Sequence, residues 1–147
     1  DPFIDKKTIN NYGGKKIETI VEGVKRADFI SIHMPLNDKT RNLFNYELIQ
    51  KMKKNSIIIN TARGGIINEP DLNKALDENL IFGAGLDVFE KEPPSSDNLL
   101  LKNKRLIMSP HTSALTDECK IRMAKETVKN IIDFFENKLD KSVIVKL

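Results

Sequence analysis

Apolar residues recur along this chain in two rhythms. Short apolar-rich runs at residues 28–33, 56–60, 80–87 and 105–108 have the length of β-strands. Between them, apolar positions recur at helical spacing. Ile17, Ile20, Val21 and Val24 form the first such face. Asn45 is placed to cap a helix reaching Met52, and Asn68, Pro70 and Asp71 mark the start of another. Ile57, Ile58 and Ile59 in succession predict a strand buried on both faces. Residues 90–98, rich in proline and serine, read as loop. A last long helix begins near Asp117, where Ile121, Ala124, Val128, Ile131 and Phe135 predict a buried stripe. Residues 143–145 read as a terminal strand. The alternation of strands and helices predicts an α/β fold, a parallel sheet with crossover helices.

Polar residues gather at one place in this pattern. His33, residues 61–65, Asp87 and residues 109–113 each lie just past the end of a predicted strand. In a parallel sheet those carboxyl ends share one edge, where open α/β folds bind ligands. Composition narrows the class further. A chain of 147 residues with 39% hydrophobic and 31% charged residues is an ordinary globular domain rather than a disordered one. The net charge of +3 comes from lysines interleaved with acids, a solvated face rather than a nucleic-acid footprint. No apolar run has the length of a membrane span. Cys119 is the single cysteine and cannot form an internal disulfide, which fits a reducing, cytoplasmic setting.

Four motifs carry chemistry, in this order: His33-Met34-Pro35-Leu36, then Asn60-Thr61-Ala62-Arg63-Gly64-Gly65, then Asp87-Val88-Phe89-Glu90-Lys91-Glu92-Pro93, then Ser109-Pro110-His111. Each alone is a weak signal. Together, at this spacing, they make nearly the whole chain similar to the later half of the NAD-binding domain of the D-isomer-specific 2-hydroxyacid dehydrogenases. The resemblance implies the later strands of a Rossmann-like doubly wound sheet. It implies reversible hydride transfer between NAD and a small 2-hydroxy acid of the phosphoglycerate, hydroxypyruvate or glyoxylate type, with no metal.

The chemistry explains the residue types. A 2-oxo acid presents a planar carboxylate beside its ketone, and a guanidinium grips carboxylate oxygens as a fork. The resemblance gives that role to Arg63. Reduction of the ketone needs a proton, and histidine titrates near working pH; His111 matches the family's acid–base residue. Glu92 matches the carboxylate that pairs with this histidine, favouring its charged form and fixing its orientation. Glu90 is a rival two residues earlier, but the family's acid directly precedes proline. Asp87 resembles the aspartate that accepts a hydrogen bond from the nicotinamide carboxamide. Thr61, Ala62, Arg63, His111, Thr112, Ser113 and Ala114 belong to the same end of the cofactor. His33, Met34, Pro35 and Thr40 belong to its adenine side, where a structural strand-end role for His33 stands equally. Cys119 reads as inert.

Asp1-Pro2 resembles the end of a preceding strand, where a carboxylate accepts both adenosine ribose hydroxyls and repels a 2′-phosphate, favouring NAD over NADP. A glycine-rich phosphate loop is expected about 20 residues upstream of such an acid. Gly13-Gly14 lies too late and lacks the third glycine. The expectation is therefore a partial NAD-binding domain over residues 1–116, followed by a helix and tail over 117–147 that return to a substrate domain, in a protein that is homodimeric as a whole. Two other readings stay open: a non-catalytic NAD-sensing corepressor, which shares fold and triad, and a fragment inactive as isolated because its sheet edge is exposed.

Overall fold

The computed structural model describes residues 1–145. They divide into two compact units, Asp1–Pro110 and the stretch from His111 onward. In the first unit, α1 (Lys6–Asn11) and α2 (Ile20–Arg26) precede β1 (Phe29–Ile32). α3 (Tyr46–Ile49) leads to β2 (Ile57–Asn60), α4 (Glu69–Asp77) to β3 (Gly83–Leu86), and a 3-10 turn at Leu99–Lys102 to β4 (Leu106–Met108). The strands are all parallel, in the order β1-β2-β3-β4. Each strand lies beside the next in sequence, as in one wing of a doubly wound sheet. α2, α3, α4 and the 3-10 turn pack in succession, each against the next.

Register explains the core. Ile30, Ile58, Ala84 and Leu106 stand side by side across the sheet. They join one apolar cluster with Leu48 and Ile49 of α3 and Leu72 and Leu76 of α4. The alternate row, Ser31, Ile59, Gly85 and Ile107, is more open: Ile59 is half-buried and Ile107 is 80% exposed. The expectation of a β2 buried on both faces is therefore corrected: Ile58 is fully buried while Ile57 and Ile59, on the other face, are half-buried, because α2, α3 and α4 pack on the Ile58 side.

Local chemistry sets the boundaries. The four predicted sheet strands are present but shorter; the run over 80–87 becomes extended only at Gly83, after a bend. α3 stops at Ile49 and continues to Met52 as turns. The side chain of Asn45 caps it by accepting the Leu48 N–H at 3.0 Å, and Asn68 caps α4 through the Asp71 N–H at 3.0 Å. Ile17 lies before α2, against Gly23, where a Cβ would meet its side chain at 2.3 Å. α1 is an element the apolar pattern does not show, since none of its residues is buried. Its caps hold it. Asp5 accepts the Thr8 N–H at 2.7 Å, a bond that holds its carboxyl below the usual range. At the other end Gly13, with φ +76°, and Gly14 donate to Asn10 and Ile9, the paired closure of a helix C-terminus. Gly13-Gly14 thus ends a helix, whereas a phosphate loop opens one.

The second unit is dominated by α5 (Asp117–Phe135), capped by Thr116, whose side chain accepts the Cys119 N–H at 3.2 Å. The predicted stripe has the right spacing but is not buried: Ile121, Val128, Ile131 and Phe135 are each more than half exposed. Periodicity states which residues share a face, not what covers them. The terminal strand over 143–145 is also corrected. Asp140 accepts the Ser142 N–H at 2.8 Å and starts a 3-10 turn at Lys141–Val143, with no strand after it through residue 145.

Candidate active site

The sheet register brings chemistry-bearing positions into one row. Ile32 pairs with Asn60, Asn60 with Leu86, and Leu86 with Met108. His33, Thr61, Asp87 and Ser109 are each the next residue, so all four step off the same carboxyl edge. Two more backbone bonds carry the ladder past the strands: the Asp87 N–H donates to Asn60 and the Ser109 N–H to Leu86, both at 3.0 Å. Asp87 is 3% exposed, and the Ser109 hydroxyl donates to its Oδ1 at 2.5 Å.

Arg63 sits in a turn shaped by a buried neighbour. The Asn60 Oδ1 accepts the Ala62 N–H at 3.0 Å, while its Nδ2 donates to the Arg63 carbonyl at 2.9 Å. This bracket leaves the Arg63 side chain exposed, with Nη1 donating to the Ala62 carbonyl at 2.6 Å. Gly64 then presses on the next loop. A Cβ there would lie 1.8 Å from the Phe89 carbonyl oxygen, so only glycine permits this approach. The loop it touches carries Glu92, whose Oε1 accepts the Phe89 N–H at 3.0 Å and whose bond to Pro93 is cis. Glu90, the rival acid, faces Arg41 instead, at 3.6 Å.

Between the ends of β1 and β2 lies an open cleft of about 600 Å³, lined by His33, Met34, Pro35, Leu36, Thr61, Ala62 and Arg63. His33 is exposed, with its Nε2 2.7 Å from the Ser31 hydroxyl. Thr40 lies behind this loop: its hydroxyl donates to the Pro35 carbonyl at 2.7 Å and accepts the Asn37 N–H at 2.8 Å. Asp1 is exposed, and its Oδ1 accepts the Phe3 N–H at 2.8 Å; with Pro2 it lies outside any strand.

The remaining predicted residues belong to the second unit. His111 opens it and, at φ 54°, adopts the left-handed backbone region. Among the described residues the other non-glycines found there are asparagines (Asn42, Asn79 and Asn137), which accept it at little cost. Strained backbone of this kind concentrates at functional positions. Thr112, Ser113 and Ala114 follow as an exposed turn, closed by the Leu115 N–H donating to Thr112 at 2.9 Å. The supporting bonds of Asn60 and Ser109, and the contact of Gly64 with another loop, were not assigned from sequence; Asn60 bonds within its own turn, whereas Gly64 meets Phe89 and Ser109 meets Asp87, both distant in the chain. Among the described residues no group of His, Cys, Asp and Glu side chains could hold a metal ion, and no helix is long and apolar enough to cross a membrane.

A parallel sheet with a cleft and a buried carboxylate at its carboxyl edge is the arrangement in which open α/β domains bind their ligands. The chain belongs to the family described as D-isomer specific 2-hydroxyacid dehydrogenase, NAD binding domain, whose model matches residues 1–113. It is 42% identical over 98% of its length to a D-3-phosphoglycerate dehydrogenase of Methanocaldococcus jannaschii, covering 27% of that protein. A glyoxylate reductase of Aeropyrum pernix is 34% identical over 95% of the chain, with 42% of the relative covered. Among solved structures, D-lactate dehydrogenase with NAD+ from Lactobacillus jensenii superimposes with a TM-score of 0.79 at 26% identity, covering 88% of this chain and 43% of that one. The chain thus spans less than half the length of each.

Proposed function

We propose that this chain is the catalytic part of the cofactor domain of an NAD-dependent dehydrogenase that interconverts a small 2-hydroxy acid and its 2-oxo acid. The observation that carries this reading is the shared row of His33, Thr61, Asp87 and Ser109 beside the Arg63 turn. The residues fit the cofactor. A buried carboxylate offers acceptors to an amide, and the adjoining cleft combines the apolar Met34, Pro35 and Leu36 with polar groups. Held there, the nicotinamide cofactor would supply the redox chemistry, its reduced form as hydride donor to the 2-oxo carbon and its oxidised form as hydride acceptor from the 2-hydroxy carbon.

The protein residues do the rest. Arg63 holds the substrate carboxylate as a fork and draws charge from the neighbouring carbonyl. In reduction His111 gives its proton to the carbonyl oxygen, and in oxidation it takes the hydroxyl proton back. Glu92 is the carboxylate that the resemblance assigns to His111; the engagement of Glu90 with Arg41 supports this choice. Asp87 receives the nicotinamide amide, with Thr61, Ala62, Thr112, Ser113 and Ala114 beside it. His33, Met34, Pro35 and Thr40 serve the adenosine side. Asp1 and Pro2 meet the ribose. Residues 1–116 are the cofactor part, and residues 117–147 lead to a substrate domain. By the same resemblance the active form is a cytoplasmic homodimer.

The names of the relatives, a phosphoglycerate dehydrogenase and a glyoxylate reductase, favour an enzyme over a non-catalytic corepressor and point to substrates of that size. The test is NADH oxidation by the complete enzyme with hydroxypyruvate, glyoxylate and phosphohydroxypyruvate. Turnover with at least one, and preference for NADH over NADPH that narrows in Asp1→Ala, is expected. Peptide binding without turnover would establish the corepressor instead.

A further inference from the structure

Glu69 opens α4, outside the site described above, yet both of its carboxylate oxygens are committed to the loop that carries Glu92. Oε1 accepts the Glu90 N–H at 2.6 Å and Oε2 accepts the Asn98 Nδ2 at 2.7 Å. These partners stand on either side of Glu92 in the chain, so one side chain clasps the loop at two points. Asn98 is held in turn, since its Oδ1 accepts the Leu100 N–H at 3.0 Å at the start of the 3-10 turn. A carboxylate is suited to this place because it accepts at both oxygens, and bonds to a charged acceptor are roughly twice as strong as neutral ones. The third restraint is the Gly64 contact with the Phe89 carbonyl, which sets the distance between the Arg63 turn and the same loop.

We infer that Glu69 is a positioning residue that fixes Glu92 for its work, acting through the loop and touching neither substrate nor cofactor. The inference rests on the role proposed above for Glu92. Arg63 is held separately, by Asn60, so loss of the Glu69 clasp disturbs proton transfer while leaving the substrate grip intact.

The test compares Glu69→Ala, Glu69→Gln, Asn98→Ala and Glu92→Gln in the complete enzyme, by steady-state oxo-acid reduction and by amide hydrogen exchange. Displacing a catalytic group by an ångström can cost about 100-fold. Glu69→Ala should therefore lower kcat by roughly 10- to 100-fold, with KM for the oxo acid changed less than about twofold. Glu69→Gln, which keeps one acceptor oxygen, and Asn98→Ala, which frees one anchor, should each lose less. Added to Glu92→Gln, Glu69→Ala should cost nothing further, because the group it positions is already gone. Exchange at the Glu90 amide should quicken in Glu69→Ala while the Ala62 amide stays as it was. Unchanged exchange, a fall in kcat that adds in full to that of Glu92→Gln, or a rise in KM alone would overturn the inference. If the Glu69 variants are silent while Glu92→Gln is impaired, only the clasp falls; if Glu92→Gln keeps full turnover, the role of Glu92 falls with it.

Discussion

Arg63 stands in a turn whose shape is set by Asn60, a side chain that is 2% exposed and bonded through both ends of its amide. Burying an amide costs free energy unless its partners are supplied, and here the turn itself supplies them. The guanidinium is thereby offered outward with its backbone fixed. In its proposed role Arg63 grips the carboxylate in the ground state as well as in the transition state, so Arg63→Ala should raise KM for the oxo acid and lower kcat together. A variant with KM unchanged would place the carboxylate elsewhere. The residue types were legible in the sequence: a guanidinium and a histidine just past strands, and a carboxylate before proline in the loop over 90–98. Their supports were not. Gly64 meets the Phe89 carbonyl, Ser109 meets Asp87 and Glu69 meets the Glu90 loop, all across gaps in sequence that no local pattern encodes.

At the level of elements, α3 shows how a four-residue helix persists. Isolated helices this short do not form in water, so tertiary contacts must hold it. Tyr46 provides three of them to α4: its N–H donates to the Asp71 carboxylate at 2.9 Å, its hydroxyl to Glu78 at 2.5 Å, and the Lys74 ammonium stands 4.1 Å from its ring centre. The bond to Glu78, and then desolvation, raise the Tyr46 phenol above its ordinary range. A pKa raised by folding means that this contribution is complete below the unfolded pKa, near 10, and is lost as pH rises through the folded value. Melting followed from pH 8 to 11 should therefore show an alkaline loss of stability that is smaller in Tyr46→Phe. Ultraviolet titration should also lose a late tyrosine step in that variant. Identical alkaline behaviour of the two proteins would remove this bond from the account. Strands and capped helices were readable because periodicity and caps are local. α1 was not, having caps but no apolar face, and the burial of α5 was misjudged because a stripe does not name its cover.

The first unit presents a parallel sheet whose carboxyl edge carries His33, Thr61, Asp87 and Ser109, and a second unit begins at His111. Fold class and family were legible because the motifs fall at strand ends in order, and sheet register turns that order into proximity. The number of helical layers over the sheet was not, since three isoleucines in a row fit a sheet covered on either face or both. In the proposed mechanism the first unit supplies the substrate grip and His111 supplies the proton. The most direct measurement is oxo-acid reduction by His111→Ala in the complete enzyme, with NADH affinity measured alongside by fluorescence titration. Loss of a general acid should lower turnover by roughly 10²–10⁴-fold while NADH affinity stays within a few-fold of the parent. Turnover near that of the parent would contradict the account, as would a loss explained wholly by weaker NADH binding.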